Sequence, residues 1–210
     1  MYIPDHFQPG SDKELHALIA AHPLGALVTR GPNGFDANHI PFEMEAEQGP
    51  FGTLHAHVAR ANPVWREVGE GDEVLVIFRA EQAYISPNWY PTKHETHKSV
   101  PTWNYSVVHA HGRITVRDDE RTVRTVVARL THHHEASQPQ PWKMSDAPKD
   151  YIADMVTKIV GIEVEITRLV GKFKLSQNRE ARDIAGVIGK LGEQGDEALA
   201  QVMSEHAPQR

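Results

Sequence analysis

Residues 24–44 read LGALVTRGPNGFDANHIPFEM, and this stretch decides the fold class. Residues 24–30 are a short apolar run of strand length. Gly31-Pro32-Asn33-Gly34 is a turn whose glycines accept positive φ, and residues 35–44 return as a second strand. Pro41 cannot donate to a ladder, so it marks an edge or a bulge. Working outward, residues 51–58, 73–79, 82–86 and 103–116 show the same character and complete a run of six candidate strands. Between the third and the fourth, Asn62-Pro63 opens a short helix, with Asn62 as N-cap and Pro63 at the first helical position. Upstream, Ser11-Asp12-Lys13-Glu14 is a capping box. Leu15, Leu18 and Ile19 follow at helical spacing until Pro23.

Beyond Val116 the period changes to that of helices. Asp118 is placed to cap a segment with Val123, Val126, Val127 and Leu130 on one face. Pro148 opens another, with Ile152, Met155, Val156 and Ile159 at i, i+3, i+4 and i+7. Ile162, Val164 and Ile166 alternate with polar residues as one more strand, and the last thirty residues are helical, broken near Gly192 and Gly195. The chain is therefore expected to be α+β: a six- to seven-stranded antiparallel β-barrel with an N-terminal helix and C-terminal helices added. The aromatic loop at residues 87–99 is longer than a mere connection needs, and such loops are usually functional.

Composition narrows the function classes. The 210 residues carry 22 Lys+Arg against 28 Asp+Glu, a net charge of −6, which weighs against direct DNA binding because duplex affinity comes mainly from neutralised phosphates. The absence of cysteine removes disulfide scaffolds, thiolate zinc sites and iron–sulfur clusters, and suits a cytoplasmic location. No signal peptide and no apolar run of membrane-spanning length is read, so no membrane partner is expected. Nucleophile-elbow, P-loop and dinucleotide motifs are missing. Fourteen histidines stand out. His55 and His57 share one strand face, as do His109 and His111, yet no zinc spacing accompanies them and no metal site is expected. The triplet His132–His134 suits a helix C-terminus, where cations meet the negative end of the macrodipole.

Three stretches can carry chemistry. Residues 55–63 pass from a strand into a helix start, with Arg60 beside free amides, which suits a phosphate; a surface arginine and an ordinary cap read the same residues. In residues 100–105, Thr102 and Asn104 share one strand face and Trp103 and Tyr105 the other. That mixture suits a planar heteroaromatic ligand or a dimer interface. From position 168 to 182, Arg168, Lys172, Lys174, Arg179 and Arg182 face only Glu180, a basic island in an acidic chain. Ser176 or Asn178 is placed to cap the following helix, so an anion can sit here. For Arg179 and Arg182 a solvated charge run is the better reading.

Six strings in order then fit one pattern: MYIP at 1–4, HIPF at 39–42, HVARANP at 57–63, YISPNWY at 84–90, VPTWNY at 100–105 and KLSQNR at 174–179. They resemble the PaiB-type proteins, described as FMN-binding negative transcriptional regulators. The resemblance implies an FMN-binding split barrel, related to pyridoxamine phosphate oxidases and flavin reductases, over residues 1–180, with residues 181–210 a helical extension of the same domain. It implies FMN as cofactor and a homodimer with the flavin at the subunit interface. It also implies that Arg60 holds the FMN phosphate with Ala61, Asn62 and His57, and that Val28 and Thr29, with Leu27, line the ring slot. Thr102, Trp103 and Asn104 reach the flavin from the other subunit, and Lys174, Ser176 and Gln177 join from the C-terminal segment. Regulation is then expected to be indirect, through flavin, redox state or a small ligand. A flavin-dependent NAD(P)H oxidoreductase and a haem-binding or haem-degrading split barrel are the alternatives. No catalytic residue is assigned.

Overall fold

The computed structural model describes residues 1–208. The opening stretch is a hairpin. β1 (Leu24–Gly31) and β2 (Gly34–Pro41) pair antiparallel from Leu24 opposite Pro41 to Gly31 opposite Gly34. Gly34 turns the chain at φ +107°, a conformation open to glycine because it has no Cβ. The strand expected over residues 35–44 is two: β2 stops at Pro41, which has no N–H for a ladder, and β3 (Glu43–Glu45) pairs instead with β4 (Thr53–Ala59).

β5 (Glu73–Ile85), β6 (Thr102–Arg117) and β7 (Ile159–Lys174) are the long strands. The two strands expected at 73–79 and 82–86 are one, because Ala80 and Glu81 supply no turn chemistry to part them. β7 is likewise longer than the alternation of Ile162, Val164 and Ile166 announces. The seven strands form one antiparallel sheet in the order β2-β1-β5-β6-β7-β4-β3. The sheet curls until β2 lies beside β4 without pairing with it, which is the split of a split barrel.

Seven α-helices decorate the sheet among the described residues: α1 (Asp12–Ala21), α2 (Val64–Glu67), α3 (Pro91–Thr96), α4 (Glu120–Glu135), α5 (Lys149–Thr157), α6 (Ala181–Gln194) and α7 (Glu197–Glu205). Three expected boundaries shift. Asn62 Oδ1 accepts from the Val64 N–H at 3.0 Å, but the four-residue helix begins one position after Pro63, so Pro63 and not Asn62 is the N-cap. Asp119, not Asp118, caps α4, accepting from the Thr122 N–H at 2.9 Å. Neither Ser176 nor Asn178 caps α6. Glu180 precedes its first turn, and Gly192 lies within the helix, which ends at Gly195 with φ +85°.

Contacts divide the chain into two compact units. The first comprises Met1–Glu14, Arg79–Val108 and the chain from Val170 onward; the second comprises Leu15–Phe78 and His109–Leu169. β5, β6 and β7 contribute residues to both. The second unit buries Leu27, Leu54, Val76, Phe78, Ile162 and Ile166, and the first buries Ile85, Tyr90, Leu175, Val187, Leu191 and Met203. Each such side chain stabilises by about 1.5–3 kcal/mol relative to exposure, and this burial is what orders the strand ends where functional groups sit.

Candidate functional site

The residues singled out in the sequence fall into two sets, one in each unit. In the second unit, β4 carries His57 opposite Gly161 of β7. Burial pushes the His57 imidazole below its ordinary pKa, and its Nδ1 is buried without a hydrogen-bond partner. Buried polar atoms are rarely left so, and each exception calls for an explanation.

Arg60 follows at the end of β4. Its guanidinium donates to both carboxylate oxygens of Asp118 (2.9 and 2.5 Å), to the Thr157 carbonyl (2.6 Å) and to the Ile159 carbonyl (3.1 Å). The side chain implied as the phosphate ligand is thus engaged in tying β4 to the end of β6 and the start of β7. The paired Arg60 holds the Asp118 carboxyl below the usual carboxylate range. The adjoining cleft of about 310 Å³ is lined by Asp118, Asp119 and Glu120 as well as Arg60. Asn62 divides its amide between the Val64 N–H and Asn38, to whose Oδ1 it donates at 2.7 Å, and Ala61 is exposed. Leu27, Val28 and Thr29 do not share one wall. Leu27 and Thr29 point into the core face of β1 and half-buried Val28 points to the other, as strand alternation demands.

In the first unit the start of β6 and the end of β7 meet. The Lys174 ammonium donates to Thr102 Oγ1 and to the Trp103 carbonyl. Asn104, wholly buried, donates to Ser176 Oγ at 2.9 Å and to Met203 Sδ at 3.4 Å. Ser176 takes a left-handed conformation at φ +68°, and Gln177 folds back to bond the Phe173 carbonyl (2.7 Å) and the Leu175 N–H (2.8 Å). Thr102, Trp103, Asn104, Lys174, Ser176 and Gln177 are therefore one cluster. The signal for it was already in the two strings VPTWNY and KLSQNR.

Beside this cluster the outer face of β5 and β6 forms a groove of about 340 Å³, lined by Arg79, Ala80, Gln82, Trp103, Tyr105, Ser106 and Val107. Trp103 is 53% exposed and meets Tyr84 edge to face at 6.4 Å. Arg79 donates to Gln82 Oε1 at 2.6 Å. Sequence reasoning overlooked Arg79 and Gln82, because they lie where it placed a break between two strands. It also overlooked the buried Asp183, whose carboxylate accepts from the Thr92 N–H (3.0 Å) and hydroxyl (2.7 Å). No motif links residues 91 apart.

The basic island divides by partner. Arg182 is exposed and pairs at the surface with Glu95 (2.5 and 2.9 Å) and Glu180 (3.0 Å), whereas half-buried Arg179 lies 4.8 Å over the Tyr90 ring. Arg168 donates to His111 Nε2 at 3.0 Å. Burial lowers the pKa of His55, His109 and His111 as it does that of His57. His55 contacts Gln48 Oε1 at 3.2 Å and Glu45 at 3.5 Å. Among the described residues no three His, Asp or Glu side chains are placed to hold one metal ion.

With this geometry in hand, comparison with known proteins decides the family. Residues 1–168 match the model of the family described as "Putative FMN-binding domain". The chain belongs to that family. FMN is the family's cofactor, and the match spans β1 to β6 and most of β7. An uncharacterized protein of Aspergillus fumigatus is 35% identical, over 91% of this chain and 92% of its own. The protease synthase and sporulation protein PAI 2 of Bacillus subtilis is 28% identical, over 91% of this chain and 89% of its own. Among solved structures, the FAD and heme binding protein from Mycobacterium smegmatis superposes with a TM-score of 0.60 at 16% identity, covering 85% of this chain and 78% of that one. That likeness is one of fold. No helix of the described residues is long and apolar enough to cross a membrane.

Proposed function

We propose that the protein is a cytoplasmic, FMN-binding homodimer that regulates gene expression indirectly, its flavin reporting redox state or a small ligand. The observation that carries this reading is the aromatic groove on β5 and β6. Exposed Trp103, with Tyr105 and Val107, offers flat apolar walls, and Arg79 and Gln82 offer polar groups at the edge. A planar heteroaromatic ring needs that combination, and the volume of about 340 Å³ is within the range of small-molecule sites. The residues therefore fit an isoalloxazine. Bound FMN would supply reversible redox chemistry, tuned by the hydrogen bonds around its ring.

The second set completes the site from the other copy. His57, with its unpartnered Nδ1, together with Ala61, Asn62 and half-buried Val28, would face a flavin resting on the Thr102-Trp103-Asn104 and Lys174-Ser176-Gln177 cluster of the second subunit, while Thr29 stays in the core. A two-fold dimer makes two such sites at once, because each subunit supplies both halves. Exposed Trp103 and Tyr84 are the residue types that interfaces favour. The acidic surface, at a net charge of −6, supports regulation without direct DNA contact.

The test is a titration of purified protein with FMN, followed by flavin fluorescence and sedimentation. The expected result is saturable binding of one FMN per chain by a dimer, with binding weakened by Trp103→Ala. No flavin binding, or binding by a monomer with Trp103→Ala unaffected, overturns the reading. A mobility-shift titration at moderate salt checks the regulatory mode. A tight, sequence-selective shift would replace indirect regulation with direct repression.

A further inference from the structure

Lys172, Lys174 and Arg179 are three cations with no carboxylate at ion-pair distance among the described residues, in a chain with six more acidic than basic groups. Their partners are all neutral. The Lys172 ammonium lies among three rings, 5.6 Å from Tyr2, 5.9 Å from Phe7 and 5.7 Å from Tyr105. Lys174 donates to a hydroxyl and a carbonyl, and Arg179 covers the Tyr90 ring. Burial and the charges of Lys172 and Arg179 push the Lys174 pKa down, as expected where cations crowd without a counter-ion. Lys172 shares Tyr105, and Lys174 shares Trp103, with the aromatic groove. By contrast, Arg60 has its own carboxylate in bidentate contact, and the cleft beside it carries Asp118, Asp119 and Glu120. A phosphate dianion is repelled there and attracted at the lysines.

We infer that the phosphate group of the flavin is held by Lys174 and Lys172, with Arg179 adding to the field, and not by Arg60. This rests on the flavin reading above and reassigns its anionic end: the C-terminal KLSQNR string carries the anchor, while the arginine of HVARANP is a structural tie. A phosphate monoester is the class of group the cluster selects, since Lys172 and Arg179 are close enough to act on the Lys174 charge, summed positive charge attracts a compact dianion, and ammonium N–H donors match its oxygens.

The experiment compares FMN with riboflavin, which lacks only the phosphate. The measured quantity is the ratio of their dissociation constants in the wild type, Lys174→Gln, Lys172→Gln, Arg60→Gln and Asp118→Asn, each checked for native circular dichroism. The wild type is expected to prefer FMN. Lys174→Gln should cut that preference by about tenfold or more, the effect of losing one charged hydrogen bond, and Lys174→Arg should restore part of it. Arg60→Gln should leave the ratio unchanged. Should that variant unfold, Asp118→Asn gives the same information, because a freed Arg60 raises the preference only if it touches the phosphate. Loss of the preference in Arg60→Gln, a rise in Asp118→Asn, or an unchanged ratio in both lysine variants overturns the assignment. If the wild type binds neither flavin, the flavin reading fails by itself, and inorganic phosphate becomes the probe. Saturable phosphate binding lost in Lys174→Gln keeps the cluster as a phosphate site, and no binding removes it.

Discussion

At the scale of single residues, Arg60 shows how one contact changes a reading. Asp118 stands two strands and 58 positions away from it in the chain and closes on its guanidinium at 2.5 Å. In the sequence Asp118 looks like a helix cap, yet Asp119 takes that role and leaves its neighbour for the arginine. Thr92 and Asp183 form a second long-range pair, wholly inside the protein. Thr92→Val removes the hydroxyl and leaves a buried carboxylate oxygen unsatisfied. The expected cost is about 2 kcal/mol, read as a lower urea midpoint with an unchanged slope.

His57 sets a pH dependence at the same scale. Its folded pKa lies below the unfolded value of 6.5 because burial disfavours the imidazolium. Between those two values the unfolded chain binds a proton that the native chain refuses. Stability therefore falls as pH drops from about 6.5 through the folded pKa and then levels off. His55, lowered by burial too, acts in the same direction. Urea denaturation of the wild type and His57→Asn between about pH 5 and pH 7.5 checks this. The variant should lose part of the slope, and an identical slope would remove His57 from the account.

At the scale of elements, strand periodicity was legible wherever one face is buried. Leu54, Ala56 and Val58 alternate with the histidines of β4, and Ile162, Val164 and Ile166 alternate with the glutamates of β7. Continuity was not legible. No local signal says that residues 79–82 stay extended, since that outcome depends on β6 lying alongside to take their hydrogen bonds. Gly112 is a similar case. A Cβ there would stand 2.4 Å from the Glu165 carbonyl oxygen, so the close approach of β6 and β7 requires a glycine that nothing in its own neighbourhood of the chain explains. Gly112→Ala is expected to destabilise by about 1–3 kcal/mol through forced backbone shifts, lowering the thermal midpoint by several degrees. A midpoint equal to that of the wild type would contradict the observed spacing.

At the scale of the whole molecule, the two sets of singled-out residues belong to different contact units, and the two-fold dimer proposed above would let one flavin meet both. The titration with sedimentation described above belongs to this scale, because its decisive reading is whether flavin occupancy and dimer mass rise together. The family match over residues 1–168 leaves α6 and α7 beyond it, although Leu191, Leu199 and Met203 of those helices are core residues of the first unit.

The sequence by itself determined the class of fold, the turn of the hairpin at residues 31–34 and the strings that mark the flavin-binding family. Those features depend on local chemistry: alternation of apolar residues, turn residues and short motifs. Only the tertiary structure decided what each charged group is for. It turned Arg60 toward Asp118, gathered Lys174 with Thr102 and Trp103, and set Lys172 and Arg179 against aromatic rings. Charge interactions act through space between residues tens of positions apart, so their partners are set by how the strands pack and not by their order along the chain.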